Sequence, residues 1–269
     1  MTVATEKAPL DAPESATRRA DSGASAGSGR GAWRALAVQP LLVAAGLLAF
    51  VLWRLNASLT ETEARQLGWT ALWRSTREHL LLTVTAAVIV LVIAVPLGIA
   101  LTRRPLRRLS PVITGVANTG QAAPAIGLFV LLATWLGFGF RTTVVALVVY
   151  AALPVLRNTL VGIQGVDPRL VEAGRGMGMS AAAVLFRVEL PLAVPVVLAG
   201  VRTALVLLVG TATLATFSDG GGLGVLINTG ITLSLDSLLV SGAVLVALLA
   251  LAVDWLGRVV EHVARPKGL

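Results

Sequence analysis

The sequence predicts an all-α integral membrane protein, a polytopic bundle of about six transmembrane helices. Hydrophobic residues make up 56% of the chain and charged residues 13%, and the mean hydropathy is +0.84. This composition is more apolar than that of an ordinary soluble domain. Several apolar runs also reach about 20 residues, the length that a helix needs to cross the hydrocarbon core of a bilayer. These observations favour one membrane domain of packed helices.

Six apolar runs define the predicted spans. They lie at 36–55, 80–101, 112–136, 143–160, 192–217 and 238–259. Residues 1–32 are rich in Ala, Ser and Gly without an apolar period, so we expect a disordered tail there. Residues 56–77 carry Trp69 and Trp73 and have two interpretations, a helix that lies on the outer membrane surface or a plain loop.

The positive charges predict the orientation of the bundle. Most of the 22 Lys and Arg residues lie in residues 1–35, in the 102–109 and 157–191 loops, and after residue 257. The positive-inside rule places these segments, and therefore both termini, in the cytoplasm. The net charge of +8 then reflects topology and does not indicate a nucleic-acid partner. The predicted division is a cytoplasmic tail at 1–32, the first span with an extracytoplasmic segment at 33–79, a core at 80–260 and a cytoplasmic tail at 261–269.

One polar stretch, residues 165–191, interrupts the apolar second half of the chain. Asp167 is suited to cap a helix, and Pro168 to its first position, where the missing N–H costs nothing. Gly176 and Gly178 can take a positive φ and end that helix. Ser180 can then cap a second helix, which we expect to end before the proline that closes the stretch.

The spacing of six residues in this stretch resembles the EAA loop of bacterial ABC importer permeases, whose pattern is roughly E-A-A-x3-G-x9-I-x-L-P. The matching residues are Glu172, Ala173, Gly174, Gly178, Leu190 and Pro191. Gly174 stands in place of the second Ala, and Val188 in place of Ile. In that family the loop docks into a groove of a cytoplasmic ATPase subunit, so the resemblance implies an ATPase-coupling role. The alternative is an ordinary connection between two spans.

Three further segments resemble the osmoprotectant branch of that family, which imports glycine betaine, choline and carnitine. They are ANTGQAAPAIGL from Ala117, YAALPVLRNTLVGIQGV from Tyr150 and the glycine-rich residues 200–224. The resemblance implies the type I, MetI-like ABC importer permease fold in a bacterial inner membrane, without catalysis or a cofactor of its own. A permease for amino acids or methionine is the alternative, because these proteins share the coupling loop.

The resemblance also implies a set of partners. These are cytoplasmic ABC ATPase subunits, a second permease subunit that is identical or related, an extracytoplasmic substrate-binding protein and membrane lipid. It further implies that the glycine-rich segment lies at the outer mouth of the pathway, with Asp219, Gly222 and Gly224 as candidate residues. Asp219 departs from the small or apolar residue expected at its position.

Polar residues within the predicted spans are candidates for the translocation pathway. They are Asn118, Gln121, Tyr150, Arg202 and Thr211. For the uncharged residues the favoured interpretation is a contact that holds helices together, and direct contact with the solute is the alternative. Arg202 lies deep in a predicted span, where a charge is costly enough to suggest a function. The other interpretation is a structural arginine that reaches toward the cytoplasm or binds carbonyls freed near Pro195. Asp254 is a candidate partner, and it is equally interpreted as an interfacial residue.

Rival functions lack the residues that they need. The only lysines are Lys7 and Lys267, so no Walker A phosphate loop exists in the sequence. Cysteine is absent and His79 and His262 are far apart, which disfavours a metal site or an intramembrane enzyme. An ion-coupled secondary transporter needs carboxylates inside the membrane, and the predicted spans contain almost none.

Overall fold

The computed structural model describes residues 28–264, with side chains from residue 37 onward, and every regular element in this part of the chain is helical. The α-helices are α1 (Ser28–Asn56), α2 (Glu61–Gln66), α3 (Trp69–Thr102), α4 (Ser110–Ala122), α5 (Ala125–Leu136), α6 (Phe140–Gln164), α7 (Pro168–Gly176), α8 (Ala181–Val184), α9 (Leu190–Thr211), α10 (Gly224–Leu233) and α11 (Asp236–Ala264). Short 3-10 segments lie at Arg107–Leu109 and Ala212–Ser218, and a π turn at Leu185–Glu189 joins α8 to α9.

The two predicted tails fall mostly outside the described residues, which exclude 1–27 and 265–269. The α1 helix begins at Ser28, within the stretch that the sequence predicts to be disordered. Residues 261–264 of the predicted second tail continue α11.

Five helical segments of the described chain are long and apolar enough to cross a membrane. They are residues 37–56 of α1, α3, α6, the run from Ala181 to Ser218 that includes α9, and α11. The α4 and α5 helices form a pair bent by 99°, which adds a sixth crossing if both halves belong to one span. The predicted all-α bundle of about six spans is therefore confirmed.

The predicted third span, 112–136, is wrong as a single straight helix. Ala123 ends α4 with an extended backbone (φ −63°, ψ 145°), and Pro124 precedes α5. Proline disfavours the helical conformation at the residue before it, because its ring crowds that residue's backbone. The chain therefore turns at Ala123, and the two halves of this apolar run point in different directions.

The second span begins earlier than predicted, and residues 69–77 form neither an interfacial helix nor a loop. They are the first turns of α3, which runs for 34 residues from Trp69. Trp69 and Trp73 stay exposed on these turns. A helix of this length rises about 50 Å, more than the roughly 30 Å of a hydrocarbon core. The apolar run therefore marks where the helix is buried in lipid and does not mark where the helix starts.

The main core lies where α6 packs between α3 and α9. Its fully buried side chains include Leu82, Val90, Leu147, Val155 and Leu208. Gly200 of α9 faces α6, where an added Cβ would lie 2.9 Å from the carbonyl oxygen of Pro154. This close approach lets the two backbones cross in contact.

A second cluster packs α1 and the end of α2 against α3, α11 and the start of α10. It contains Phe50, Leu67, Leu72, Leu223 and Leu238. Most other large side chains of α1 remain exposed, with Leu41 at 67% and Leu48 at 60% of their full surface. In a membrane these faces contact lipid, which is as apolar as they are.

Candidate functional site

The polar stretch 165–191 folds as a helix, a tight turn and a second helix. Asp167 caps α7 by accepting a hydrogen bond from the Arg169 N–H at 2.9 Å, and Pro168 takes the first turn. Gly178 has a φ of +81°, the left-handed value that ends α7. Ser180 then accepts from the Ala183 N–H at 3.2 Å and begins α8. These local predictions are confirmed except for Gly176, which has no positive φ and is the last residue of α7.

The predicted end of the second helix before Pro191 is wrong. The chain continues through the π turn into α9, so Leu190 and Pro191 form the first turn of a membrane span. A proline in a helix normally clashes with the carbonyl four residues earlier. That residue is Arg187, which lies in the π turn, where the hydrogen-bonding pattern is widened. The helix therefore accommodates the proline without stopping.

The α7 helix presents an apolar surface that the chain itself does not cover. Leu170 is 47% exposed and Met177 73% exposed, and Phe186 beyond α8 is 64% exposed. Glu172 and Ala173 are exposed beside them. Exposed apolar side chains grouped in this way are typical of a surface that binds another protein.

Gly174 is the buried residue of α7. A Cβ at this position would lie 3.4 Å from Met179 Sδ and 3.5 Å from Val184 Cγ2, which are ordinary contact distances. Both an alanine and the glycine present here therefore suit the packing of α7 on α8. The departure from the expected alanine leaves the loop intact.

An ion pair that the sequence did not reveal ties this loop to α3. Arg103, directly after α3, donates from Nη1 to Glu189 Oε1 at 3.2 Å, and its Nη2 contacts the second carboxylate oxygen. The Glu189 side chain is only 8% exposed, and that of Arg103 is 34% exposed. A bidentate pair of this kind fixes both distance and orientation. It links the end of one span to the π turn at the start of another.

Two of the predicted pathway residues meet at the α4–α5 bend. Gln121 donates to the Tyr150 carbonyl oxygen at 3.3 Å, and the Tyr150 hydroxyl donates to the carbonyl oxygen of Ala123. Asn118 lies one turn before Gln121 and is exposed. Thr211 lies apart from this group and donates to its own helix at the Leu207 carbonyl oxygen, 2.8 Å away.

Arg202 lies away from the bend, in contact with α11. Its Nε donates to Asp254 Oδ1 at 2.6 Å, and its Nη1 lies 3.5 Å from Glu261. Asp254 also accepts from Arg258 and, at 3.0 Å, from Gln39 of α1. The expected Arg202–Asp254 partnership is therefore confirmed, and the cluster joins three helices. The role of Arg202 in a pathway stays a prediction.

The glycine-rich segment forms a compact turn at the opposite end of α9 from the polar stretch. The Gly222 N–H donates to Glu78 at 3.1 Å, and Gly224 packs directly on Thr213. Asp219 is exposed and has a left-handed backbone (φ 56°). Its short polar side chain tolerates this conformation better than most residues. Asp219 therefore serves the turn itself, which explains why an aspartate suits this position.

Beside this turn the bundle buries a histidine. His79 is fully buried, and its Nε2 lies 3.0 Å from the Val209 carbonyl oxygen. Among residues 28–264 no cluster of three or more His, Cys, Asp or Glu side chains is placed to hold a metal ion.

Comparisons with known proteins agree on one family. Residues 94–265 match the family described as binding-protein-dependent transport system inner membrane component. The glycine betaine/carnitine/choline transport system permease protein OpuCB of Bacillus subtilis is 41% identical over 194 residues, which cover 72% of this chain and 88% of that protein. The osmoprotectant import permease protein OsmW of Salmonella typhimurium is 37% identical over 199 residues, covering 72% and 92%.

A solved structure shows the same fold. The inward facing MetNI methionine ABC transporter contains a chain that aligns with a TM-score of 0.65 and 22% identity. The alignment covers 77% of this chain and 100% of that one.

Proposed function

Because this chain belongs to the family of inner membrane components of binding-protein-dependent transport systems, we propose that it is the permease of an ATP-driven importer for osmoprotectants. Glycine betaine, choline and carnitine are the solutes that we expect, since relatives covering 72% of the chain carry these names. In this proposal the chain forms the translocation pathway and couples it to ATPase subunits, and it catalyses no bond chemistry itself.

The exposed apolar surface of the 165–191 loop carries the coupling part of this proposal. Leu170, Met177 and Phe186 stay uncovered by the rest of the described chain. The Arg103–Glu189 pair holds the same loop to α3. A force applied to α7 by a partner would therefore reach α3 and α9 together, which is what coupling to a moving pathway requires.

The orientation that we propose places this loop and both termini in the cytoplasm. Support comes from the ion pair again, because Arg103 belongs to the basic 102–109 loop and contacts Glu189 at the end of the polar stretch. The two most basic connections of the described chain thus lie at one end of the bundle, as the positive-inside rule expects. ATPase subunits, a second permease copy or relative, and an external binding protein complete the proposed assembly.

The pathway proposal rests on the bend between α4 and α5. Asn118, Gln121 and Tyr150 line this irregular segment, and backbone away from helical geometry is tolerated at membrane depth only inside protein or beside a cavity. We also keep Thr211 as a candidate residue of the pathway; its hydroxyl donates to the Leu207 carbonyl oxygen of its own helix. We assign Arg202 to the contact between α9 and α11. The turn with Asp219, Gly222 and Gly224 forms the outer mouth in this proposal.

The competing transport mechanisms are less well supported. An ion-coupled transporter needs an intramembrane carboxylate that can release its ion pair, but Asp254 is held by both Arg202 and Arg258. A methionine or amino-acid permease shares the fold, whereas the named relatives at 36–41% identity transport osmoprotectants.

ATP-dependent uptake tests this proposal. Vesicles are reconstituted with the chain, its candidate ATPase and its candidate binding protein, and are supplied with labelled glycine betaine, choline, carnitine, proline and methionine in turn. We expect ATP-dependent uptake of at least one of the first three. Uptake of methionine alone would contradict the substrate proposal, and uptake driven by an ion gradient without ATP would contradict the importer proposal.

A charge reversal at the loop separates coupling from folding. Glu172→Arg should abolish uptake while leaving membrane insertion unchanged, because Glu172 is exposed. Glu61→Arg is the matched control, since Glu61 lies in α2 with its side chain 82% exposed at the other end of the bundle. Equal uptake by both variants would show that the loop only connects two spans.

The turn of the loop provides a second matched pair. Gly178 and Gly176 both face open space, but only Gly178 has a positive φ. Gly178→Val should therefore strain the backbone by about 1–2 kcal/mol, displace α7 relative to α8 and lower uptake severalfold. Gly176→Val should leave uptake near the wild-type rate. Similar uptake in the two variants would show that the left-handed turn does not set the coupling geometry.

A further inference from the structure

The contact between α1 and α11 leaves two cavities stacked along the helices. One has a volume of about 320 Å³ and is lined mainly by apolar side chains, among them Phe50 and Val244. The other has a volume of about 420 Å³ and is lined by Asn56, Glu63 and Ser237. Trp53 lines both. These volumes lie within or close to the range of about 300–1,000 Å³ that small-molecule sites occupy.

The apolar cavity contains one polar group without a partner. Ser241 lines it, is 2% exposed, and its hydroxyl makes no hydrogen bond. A buried hydroxyl without a partner has lost its hydrogen bonds to water and has gained none within the protein. The hydroxyl oxygen is itself closed to solvent, so a ligand with an acceptor oxygen at this depth would satisfy it after a rotation of the Ser241 side chain toward the cavity.

The polar cavity contains a carboxylate without a cationic partner. Glu63 accepts hydrogen bonds from Ser237 and Thr60, which hold its pKa below the ordinary value, so the group is charged at neutral pH. No Lys or Arg in the described part of the chain forms an ion pair with it. Trp53 lies beside it, and an indole face attracts a cation. This cavity is therefore complementary to a cationic group.

We propose that the seam between α1 and α11, which contains both cavities, binds one phospholipid with a protonated amine in its headgroup, namely phosphatidylethanolamine. An acyl chain fills the apolar cavity, an ester carbonyl accepts from Ser241, and the ammonium group lies between Glu63 and Trp53. Ser241 is one helical turn from Ser237, about 6 Å, so the polar groups follow the order found in a phospholipid. The lipid would lie in the leaflet on the side of the membrane opposite the 165–191 loop. This assignment rests on the orientation given in the proposed function.

The surroundings of the seam favour a lipid over a protein occupant. Leu52 and Val240 flank the cavities and are 52% and 53% exposed, so acyl chains can reach the opening directly. The family match begins only at residue 94, so α1 and its contact with α11 lie partly outside it.

Lipid titration followed by native mass spectrometry tests the proposal on the full chain in detergent. We expect the wild type to retain phosphatidylethanolamine in preference to phosphatidylglycerol with the same acyl chains. Ala49→Phe fills the apolar cavity and should lower this occupancy about tenfold. Ala44→Phe is the matched control, because Ala44 is exposed on α1 and does not line the cavity. Glu63→Gln should remove the preference for the amine headgroup while lipid binding persists.

Three outcomes would overturn the site. They are equal retention of both lipids by the wild type, unchanged occupancy in Ala49→Phe, and a photo-crosslinker at position 49 that reacts with a second protein chain in membranes instead of lipid. The readout requires no transport, so a failure of the importer proposal would leave lipid retention unchanged, and a failure of the lipid site would leave ATP-dependent uptake unchanged.

Discussion

Replacing Arg103 with alanine should lower both the stability of the protein and its rate of uptake. The change leaves the Glu189 carboxylate buried without its bidentate partner. Removing one member of a buried pair typically costs about 3–5 kcal/mol, and we expect about 2 kcal/mol here because Arg103 keeps a third of its surface in solvent. The loop 165–191 would also lose its tie to α3, so uptake should fall more than stability alone explains.

Arg104→Ala is the matched control for this prediction, because the neighbouring Arg104 is exposed. Thermal unfolding in detergent and ATP-dependent uptake are measured on both variants. The exchanged pair Arg103→Glu with Glu189→Arg should recover part of both losses. Equal behaviour of Arg103→Ala and Arg104→Ala would show that the ion pair contributes nothing to coupling.

A methyl group at Gly224 should prevent normal folding of the glycine-rich turn. A Cβ at this position would overlap the carbonyl oxygen of Thr213 and lie 2.8 Å from its Cα, so the backbone itself must move. Small-to-large changes in a packed site cost about 1–3 kcal/mol, and more when the obstacle is backbone. We expect Gly224→Ala to lower the melting temperature by several degrees and to abolish uptake.

Gly210→Ala adds the same methyl group nearby with the opposite result. Nothing lies within 4 Å of a Cβ at Gly210, which is in the last turn of α9, just before the 3-10 segment. Alanine favours a helix over glycine by about 1 kcal/mol, so this variant should be as stable as the wild type or more stable. Equal melting temperatures for the two variants would contradict the packing that we describe at Gly224.

The structure of the polar stretch 165–191 was predictable because it depends on short-range chemistry. Asp167 and Ser180 cap helices through bonds to N–H groups two or three residues away, and residue type alone signals such caps. The Arg202–Asp254 pair was also predictable, because a charge within a span needs an opposite charge near the same depth.

Features that depend on distant residues were not predictable in this way. Arg103 and Glu189 are 86 positions apart, and the basic loop was already explained by membrane topology. The bend at Pro124 had a signal in the proline, but the continuous apolar run concealed it. The short helix α10 was missed because ten residues are too few to cross a bilayer. Hydropathy thus locates lipid contact, whereas helix ends and bends depend on local backbone chemistry.

The tyrosine at the bend gives this protein a built-in spectroscopic reporter. Tyr150 is the only tyrosine in the chain, and its hydroxyl closes the break between α4 and α5 by donating to Ala123. Fluorinated tyrosine supplied during expression would therefore enter at a single site without any substitution in the sequence. Its fluorine resonance would report whether that hydrogen bond opens or persists as the transporter cycles.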